Sequence, residues 1–373
     1  MKLSIDKNEL NEALQTVSSA ISPNSPQQAL KGILLEASSN TVVITGSDAD
    51  ISIRRTIEAN EDNRLNIESD GSILIDSSWM NQICRKIDSD TITIDNIDGT
   101  LTLFSGKSAE FRINGMNPAD YPNIDFSEPA SSMTVKTAML ADIIDQTKFA
   151  ASVKETRPVL TGVNFRLTAG TLVCTGTDSY RLAKKTIPFT SDNEFNITIP
   201  GKTLDKVKGN LLNTGAEDLI FAIDTRKAQF RTDRVILQSR LLDGIYPDTD
   251  RLIPTEFANI LRINRSDLIH ALDRSMFMKS DNMIINRLDC SENGVKLSNR
   301  SQEVGEFDED LFCSYTGNDL SISFSANYLA DAAKTLRSEE VELRFPGPMK
   351  PFILVDPQDE TILHLVLPVR TYN

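Results

Sequence analysis

The sequence predicts an α+β fold made of three similar units, each rich in strands and carrying two helices. Three observations support this prediction: the chain is long, it repeats itself at a fixed offset, and its hydrophobic periodicity changes in the same order within each repeat. At 373 residues, the chain exceeds a single domain of ordinary size, which contains about 100–200 residues. We place the three units at residues 1–127, 128–254 and 255–373.

A long-period repeat relates the first two units. Thr-Gly-Ser-Asp at 45–48 returns as Thr-Gly-Thr-Asp at 175–178, an offset of 130 residues. The same offset carries Leu30 onto Leu160. In the third unit the Thr-Gly-x-Asp element is lost, but the apolar spacing around its first helix is kept over 261–272. The chain is therefore expected to contain three copies of one supersecondary unit.

Within a unit, the elements are expected in a constant order. In the first unit the alternating segment 2–5 predicts a short strand, and Leu10, Leu14 and Val17 follow the i, i+4, i+7 spacing of an amphipathic helix. Strands rich in β-branched residues come next, as at 41–44. Further strands and a second helix complete each unit, and we expect these second helices at 79–87, 203–212 and 328–336.

Composition and charge limit the classes of function. With 39 Lys and Arg against 53 Asp and Glu, the formal net charge is -14, which argues against indiscriminate adhesion to nucleic acid or to an anionic membrane. The chain has no apolar run of about 18 residues, the length that a membrane-spanning helix needs. Its first residues also lack the apolar stretch of a signal peptide. We therefore expect a cytoplasmic protein that does not bind membranes.

Charge is nevertheless distributed unevenly between elements. The predicted helices with their flanking turns carry a net charge of +6, which leaves -20 for the rest of the chain. If the helices share one face of the molecule, that face is basic and suits loose, sequence-independent contact with a phosphate backbone. The alternative is that amphipathic helices simply expose their lysines. The net charge of +6 is the sum over the helical segments 7–21, 76–87, 136–154, 200–212, 262–279 and 325–337.

The sequence contains few residues or motifs that are typical of catalytic or metal-binding sites. Its two histidines, His270 and His364, fall on a predicted helix and a predicted strand, where packing roles predominate. No glycine-rich phosphate loop occurs in the sequence. The cysteines have no ligand-type spacing, so we expect buried thiols at Cys84, Cys174, Cys290 and Cys313. We expect no cofactor, no metal site and no enzymatic activity.

Asp48 and Asp50 resemble a metal-binding Asp-x-Asp pair. The second unit has Asp178 but Tyr180 at the equivalent positions, so the shared residue is one aspartate in a tight turn, where its side chain caps backbone amides. We therefore interpret the pair as structural. Two rival classes stay open, namely a metal-dependent hydrolase that uses these two aspartates and a repeat-built scaffold that binds only proteins.

Several segments resemble one known family. Three of them are Arg-Pro-Val-Leu-Thr-Gly at 157–162, Thr-Asp-Ser-Tyr-Arg-Leu-Ala at 177–183 and Leu-Val-Leu-Pro-Val-Arg at 365–370. Together with Tyr-Pro-Asp at 246–248 and Pro-Met-Lys-Pro-Phe at 348–352, they closely resemble the bacterial sliding clamps, the β subunits of DNA polymerase III. The resemblance covers essentially the whole chain, including the threefold repeat.

This resemblance implies a ring and a function. Two chains are expected to close head to tail into a homodimer of six DNA-clamp domains, with helices lining the bore and sheets outside. Duplex DNA would pass through the bore without being read, while the ring tethers the replicative polymerase for processive synthesis. The expected partners are double-stranded DNA, a second copy of the chain, DNA polymerase III alpha and other polymerases, the clamp-loader complex and repair proteins, with these proteins binding through short peptides.

The resemblance also implies a pocket for partner peptides between the second and third units. Its deep apolar part is expected to use Leu160, Thr177, Ser179, Arg181, Leu182, Pro247, Leu252, Leu365 and Leu367. Its shallower part is expected to use Tyr180, Tyr328, Met349, Pro351, Pro368, Val369 and Arg370. Aliphatic walls for anchor side chains, with a few polar groups to orient a backbone, are typical of peptide pockets.

Two further sets of residues are predicted at interfaces. Residues on or beside the basic helices are expected to contact DNA, and they are Lys154, Arg157, Lys202, Lys206, Lys208, Lys279 and Lys334. The resemblance places the dimer interface between the first unit of one chain and the third unit of the other, at Phe111, Ile113, Phe277 and Met278. Glu303 and Glu306 are expected to face Lys107 or Arg112 across that interface.

Overall fold

The structure is a computed structural model that describes residues 1–191, 193–212, 215–278 and 284–370. These residues form six α-helices and 26 β-strands, which confirms the predicted α+β class. The chain divides into two compact bodies. The first body comprises Met1–Met139 and Lys202–Leu241, and the second comprises Leu140–Gly201 and Leu242–Asn373.

The elements follow one another in three similar series. The first series contains helices α1 (Lys7–Ser18) and α2 (Ser77–Lys86) and strands β1 (Lys2–Asp6), β2 (Gly32–Ser38), β3 (Thr41–Ser47), β4 (Ile51–Glu58), β5 (Asn66–Ser69), β6 (Gly71–Asp76), β7 (Thr91–Asp98), β8 (Leu101–Ser105) and β9 (Glu110–Asn114). The second contains α3 (Thr137–Thr147) and α4 (Gly201–Val207) and strands β10 (Ser131–Lys136), β11 (Gly162–Thr168), β12 (Thr171–Thr177), β13 (Arg181–Pro188), β14 (Phe195–Pro200), β15 (Asp218–Ile223), β16 (Lys227–Arg231) and β17 (Val235–Arg240). The third contains α5 (Arg265–Ser275) and α6 (Ala326–Thr335) and strands β18 (Asn259–Asn264), β19 (Ile285–Ser291), β20 (Gly294–Ser301), β21 (Gly305–Leu311), β22 (Cys313–Thr316), β23 (Leu320–Ser325), β24 (Glu340–Phe345), β25 (Phe352–Asp356) and β26 (Asp359–Val366).

Each body contains two antiparallel sheets. The first body has a five-stranded sheet in the order β5-β1-β7-β8-β9 and an eight-stranded sheet in the order β10-β15-β16-β17-β4-β3-β2-β6. The second body has a nine-stranded sheet in the order β14-β11-β12-β13-β26-β25-β24-β18-β22 and a four-stranded sheet in the order β21-β20-β19-β23. Strands β9 and β21 are therefore edge strands.

Helix α1 begins where the sequence predicts it. The Asp6 carboxylate accepts hydrogen bonds from the backbone N–H groups of Asn8 and Glu9, at 2.8 and 3.2 Å. Such a cap satisfies amides that have no partner in the first helical turn. The predicted apolar face is fully buried at Leu10, Leu14 and Val17.

The repeated glycine of the Thr-Gly-x-Asp element has a packing reason. A Cβ atom on Gly46 would lie 2.5 Å from the carbonyl oxygen of Val17, and one on Gly176 would lie 2.3 Å from the carbonyl oxygen of Thr147. Both distances are far inside van der Waals contact, and the two pairs are related by the 130-residue offset. Only glycine lets the helix end approach the strand this closely.

The helices are shorter than the segments used for the charge count. With their observed limits, the six helices carry -1, +2, -2, +1, 0 and 0 in chain order, which add to zero. The prediction that the helices carry the positive charge is therefore wrong for the α-helices, because many of the counted cations lie in the segments beside them. Lys148 and Lys208 lie in a short 3-10 helix and a π-helix that follow α3 and α4, and Lys154 lies further along the connection after α3. No helix among the described residues is both long enough and apolar enough to cross a membrane.

The prediction of four buried thiols is confirmed for Cys84, Cys174 and Cys290. Burial raises the pKa of the Cys84 and Cys290 thiols to about 12 and that of Cys174 well above its usual value. Such thiols stay protonated and unreactive at neutral pH. The prediction is wrong for Cys313, which is half-buried because it lies on the edge strand β22.

Candidate functional site

The tight turn between β12 and β13 organises one end of the predicted pocket. The Asp178 carboxylate accepts hydrogen bonds from the N–H groups of Tyr180 and Arg181 at 2.9 and 3.0 Å. The Thr177 hydroxyl donates to the carbonyl oxygen of Arg181 at 2.6 Å and accepts from the N–H of Ser179 at 3.2 Å. These bonds hold Ser179 at a positive φ of 78°, a conformation that L-residues rarely adopt without such support.

The same turn occurs between β3 and β4. Asp48 caps the N–H groups of Asp50 and Ile51 at 3.0 and 2.8 Å, and Ala49 has a φ of 80°. This confirms the interpretation of Asp48 as a turn-capping residue. In the described part of the chain, no group of three His, Cys, Asp or Glu side chains is arranged to hold a metal ion.

Arg181 is held by two carboxylates and packs on two aromatic rings. Its Nε atom lies 3.0 Å from Oδ2 of Asp178 and its Nη1 atom lies 2.6 Å from Oδ2 of Asp331. Its guanidinium carbon is 4.6 Å from the centre of the Tyr328 ring and 5.4 Å from that of Phe149. The charge of Arg181 is therefore already neutralised inside the protein, and its cation–π contact fixes the Tyr328 ring. Burial raises the pKa of Tyr328.

An apolar cluster lies beside this arginine. Leu182 on β13 is paired in register with Leu365 on β26, and Leu365 is paired with Ile353 on β25. Leu182, Leu365, Ile353 and Val355 are buried together, which we call the Leu182 cluster, and the partly buried side chains packed against it are Ile253, Phe257, Leu363 and Leu367. Three neighbouring strands thus build an aliphatic wall from residues that are far apart in the sequence.

The end of β26 continues this surface towards its exposed part. The Leu367 N–H donates to the carbonyl oxygen of Tyr180 at 3.0 Å, and the Val369 N–H donates to the carbonyl oxygen of Ser323 at 2.7 Å. Tyr180 and Met349 are large side chains that are 60% and 49% exposed, and exposed apolar groups of this size are typical of binding surfaces. Pro351, Pro368 and Val369 are half-buried and Arg370 is exposed.

The remaining predicted pocket residues are more scattered. Pro247 and Leu252 lie on the connection before β18, and Leu252 is 55% exposed. Leu160 is buried in a short 3-10 helix, Pro158–Thr161, and its carbonyl oxygen accepts from the N–H of Ser152. The structure does not include Leu160 in the Leu182 cluster.

Sequence reasoning missed several residues that shape this region. Ile353 and Val355 were not predicted, although the continuous burial of β25 could have been inferred from its apolar run between Phe352 and Val355. Asp331 was also missed, although it follows Tyr328 by three residues on α6 and so lies on the same helical face. Phe149 gave no local signal, because its contact with Arg181 depends on the tertiary fold.

His364 lies behind the wall and is fully buried. Its Nε2 atom is 2.8 Å from the hydroxyl of Thr335, and its ring meets that of Phe149 edge to face at 5.3 Å. Burial, with a smaller effect from Lys185, lowers the pKa of His364 to about 3. The imidazole is neutral at pH 7, which supports the interpretation of this histidine as a packing residue.

The cations predicted to contact DNA are mostly on the surface. Lys202, Lys334, Lys154 and Arg157 are exposed, whereas Lys206 and Lys208 are half-buried. Lys202 and Lys206 lie on α4, Lys208 begins the π-helix Lys208–Leu212, and Lys334 lies on α6. Lys279 falls outside the described residues.

The residues predicted at a dimer interface differ in their exposure. Phe111 and Ile113 alternate on the edge strand β9 and line a groove of about 440 Å³ together with Trp79 and Ile83 of α2. Phe277 is 67% exposed, but Met278 is only 2% exposed within the single chain. The prediction that both residues face a partner needs correction, because the side chain of Met278 packs inside its own chain. Both residues follow α5, which ends at Ser275.

Two of the four charged residues predicted beside that interface, Arg112 and Glu306, have partners in the chain. Arg112 pairs with Glu110 of its own strand at 2.5 Å, and Glu306 lies 3.6 Å from Arg300. These contacts are between exposed groups, which can exchange partners at little cost.

Comparison with known proteins identifies the family. Models of the DNA polymerase III beta subunit match its N-terminal domain to residues 1–125, its central domain to 134–248 and its C-terminal domain to 250–370. The chain is 36% identical to the beta sliding clamp of Bacillus subtilis over 379 residues, covering 100% of both proteins. The chain belongs to the DNA polymerase III beta subunit family.

Other members of the beta subunit family agree with this assignment. The beta sliding clamp of Staphylococcus epidermidis is 36% identical over 98% of this chain and 97% of its own length. The crystal structure of the Bacillus subtilis sliding clamp superposes with a TM-score of 0.95 at 35% identity, and that of the Streptococcus pyogenes beta subunit with 0.94 at 31%, each covering 100% of both chains. The predicted family, the three clamp domains and the function as a DNA polymerase sliding clamp are thereby confirmed.

Proposed function

We propose that two copies of this chain close into a ring around duplex DNA and tether DNA polymerase III alpha and other client proteins for processive synthesis. The observation that carries this proposal is the full-length match to beta sliding clamps, at 36% identity. A ring needs only weak backbone contact, since enclosure rather than affinity keeps it on the DNA. This function requires no chemistry by the chain, so we propose that it is not an enzyme, holds no cofactor and acts in the cytoplasm.

Client proteins are proposed to bind through short peptides at the wall built by β13, β26 and β25. The partly buried side chains packed on the Leu182 cluster, such as Leu367 and Ile253, offer aliphatic surface for a leucine or phenylalanine. The exposed side chains of Tyr180 and Met349 are proposed to extend this surface. Small interfaces of this kind depend on a few buried anchors. Arg370 and main-chain carbonyl groups near Pro368 are proposed to orient the backbone or a side-chain amide of the bound peptide. Polymerases, the clamp loader and repair proteins would share this site.

Ring closure is proposed to join β9 of one chain to β21 of the other. Both are edge strands with unpaired backbone groups, and such edges pair readily with another strand. Strand β21 carries Glu306, Asp308, Glu309 and Asp310, whereas Lys86, Lys107 and Arg112 lie on or near β9. The opposite charges favour pairing between these two edges over pairing of either edge with itself. Phe111, Ile113 and Phe277 would form the apolar centre.

The bore is proposed to carry the exposed cations beside the helices, from Lys154 and Arg157 to Lys202 and Lys334. Their number is small, which suits weak and salt-sensitive contact with phosphates rather than tight binding. One chain is proposed to form half of the ring. Its three clamp domains, residues 1–127, 128–254 and 255–373, would contribute equal parts of that half.

Loading onto circular DNA tests this function. The chain would be loaded onto a nicked plasmid with a bacterial clamp loader and ATP, and the complex would be isolated by gel filtration. We expect the chain to remain on the circle and to leave after a restriction enzyme linearises the DNA, because a ring can slide off an end. Equal retention on circular and linear DNA, or no retention on either, would contradict the proposed ring.

A further inference from the structure

The segment between β17 and β18 depends on side chains for its position. It carries the pocket residues Pro247 and Leu252, and its regular structure is the single 3-10 turn Asp250–Leu252. Backbone hydrogen bonds fix its two ends, from the Leu242 N–H to Thr198 at 2.9 Å and from the Ala258 N–H to Phe345 at 3.0 Å. A long connection with so little regular structure is held by the contacts that its own side chains make.

Asp250 attaches the middle of this segment to the nine-stranded sheet. Its Oδ1 atom lies 2.7 Å from Nζ of Lys184, and its Oδ2 atom lies 3.1 Å from Nη2 of Arg166. Arg166 is on β11 and Lys184 is on β13, with β12 between them. Strands two positions apart in a sheet are separated by about 10 Å, so the carboxylate bridges over the middle strand.

The same turn also meets the Leu182 cluster. Leu182 and Lys184 are two residues apart on β13, so their side chains project from the same face of the sheet. Ile253, directly after the turn, packs against the Leu182 cluster. The turn is thus fixed by ion pairs at Asp250 and by apolar packing at Ile253, and the 55% exposed Leu252 lies between these two attachments.

The ionic attachment is charged at neutral pH and open to solvent. Hydrogen bonds from Lys184 and Arg166 hold the pKa of the Asp250 carboxyl below its usual value. The side chains of Asp250, Arg166 and Lys184 are 46%, 42% and 20% exposed. Ions in solution can therefore screen these pairs, which makes the attachment sensitive to salt.

We propose that Asp250 is a positioning residue for the peptide pocket, which it serves by binding Arg166 and Lys184 and so holding the turn that carries Leu252 beside the Leu182 cluster. The inference rests on the proposed function, because it assumes that client peptides bind at this wall. Asp250 itself makes no contact with the peptide. Its two cations act only through Asp250.

The test measures binding of a fluorescein-labelled nonapeptide that has a glutamine followed by leucine and phenylalanine anchors. Fluorescence anisotropy would compare the full-length wild type with Asp250→Asn, Arg166→Met, Lys184→Met and the double variant Asp250→Asn/Lys184→Met. The matched control is Asp218→Asn, which removes an exposed ion pair with Lys136 at 3.0 Å on the first body. Melting temperatures of all variants would be measured in the same buffers.

Each single variant is expected to lower peptide affinity about two- to fivefold, the range that exposed ion pairs of up to about 1 kcal/mol allow. The double variant should be no weaker than Asp250→Asn alone, since both changes break the same attachment. The differences from wild type should shrink between 0.1 M and 1 M salt, as the screening length falls from about 10 Å to about 3 Å. Asp218→Asn should bind like wild type at every salt concentration.

If the wild type binds the peptide, three results would overturn the inference. Wild-type affinity in Asp250→Asn would show that the attachment does not position the pocket. Loss of affinity in Asp250→Asn alone, with wild-type affinity in both Arg166→Met and Lys184→Met, would show instead that Asp250 contacts the peptide. Loss that is independent of salt and parallels a fall in melting temperature would indicate general destabilisation. If the wild type itself does not bind the peptide, the proposed client site fails and this inference fails with it.

Discussion

Arg181 on β13 donates a hydrogen bond to the carboxylate of Asp331 on α6, and the two atoms are 2.6 Å apart. The residues are 150 positions apart in the sequence, so this bond joins the second series of elements to the third. It also sets the position of the guanidinium over the Tyr328 ring. Arg181, which was predicted to line the pocket for client peptides, therefore also stabilises the packing of β13 against α6.

Asp331→Asn is expected to weaken the link between β13 and α6. The free energy of unfolding should fall by about 1 kcal/mol, because a charge-assisted hydrogen bond is lost at a partly exposed site. Urea denaturation followed by circular dichroism would measure the change, with Asp273→Asn on the exposed face of α5 as a control. An unchanged unfolding midpoint would show that Asp178 alone is sufficient to hold Arg181.

Leu367→Ala is expected to reduce binding of the labelled nonapeptide by about 5- to 150-fold, which corresponds to about 1–3 kcal/mol for a truncated anchor contact. Leu367 is the cleaner test than Leu182, because Leu367 is half-buried whereas Leu182 is 2% exposed. Truncation of a core leucine costs about 2–5 kcal/mol of stability by itself. Full affinity in a folded Leu367→Ala variant would place the peptide elsewhere.

Phe277→Arg is expected to yield monomers. The side chain is 67% exposed in the single chain, and an arginine there would meet the basic residues proposed on the partner's β9 edge. Sedimentation velocity at micromolar concentration would distinguish monomer from dimer. Ile245→Arg, which changes a 95% exposed apolar residue outside the proposed interface, should stay dimeric. Dimers in both variants would argue against this interface.

Lys202→Ala combined with Lys206→Ala is expected to reduce the salt dependence of duplex binding. The slope of log K against log salt should fall by up to about 1.8, since each phosphate contact contributes about 0.9. Titrations of a labelled duplex at several salt concentrations would measure it. The double variant Lys136→Ala/Lys296→Ala, which removes cations from strands β10 and β20, should keep the wild-type slope. Equal slopes in both double variants would place Lys202 and Lys206 away from the DNA.

His364 is expected to make stability depend on pH in the acidic range. Burial lowers its folded-state pKa to about 3, whereas the unfolded chain has a pKa of about 6.5. Between these values the unfolded state binds a proton that the folded state does not, so stability is lost as the pH falls below about 6.5, by up to about 1.4 kcal/mol per pH unit. Urea denaturation between pH 7 and 4.5 should show this slope, and His364→Phe should flatten it. An equal slope in the variant would assign the acid sensitivity to other groups.

Local features of the sequence were sufficient for the repeat, the element order and the family. The spacing of Leu10, Leu14 and Val17 predicts a helix face that is fully buried in the structure, because apolar residues at this spacing lie on the face that packs against the core. The turn role of Asp48 was also predictable, since a short carboxylate caps amides two and three residues along. The pocket residues on β13 and β26 came from the resemblance to sliding clamps and not from periodicity.

Tertiary structure decided which residues meet. The pairing of Leu182 with Leu365 and Ile353, the ion pairs of Asp250 with Arg166 and Lys184, and the packing of Phe149 on Arg181 all join segments with no shared local pattern. It also decided that Met278 is buried while its neighbour Phe277 is exposed. The physical reason is that the type of a side chain shows whether it needs an apolar or an oppositely charged neighbour. Strand register and the path of the chain determine which residue becomes that neighbour.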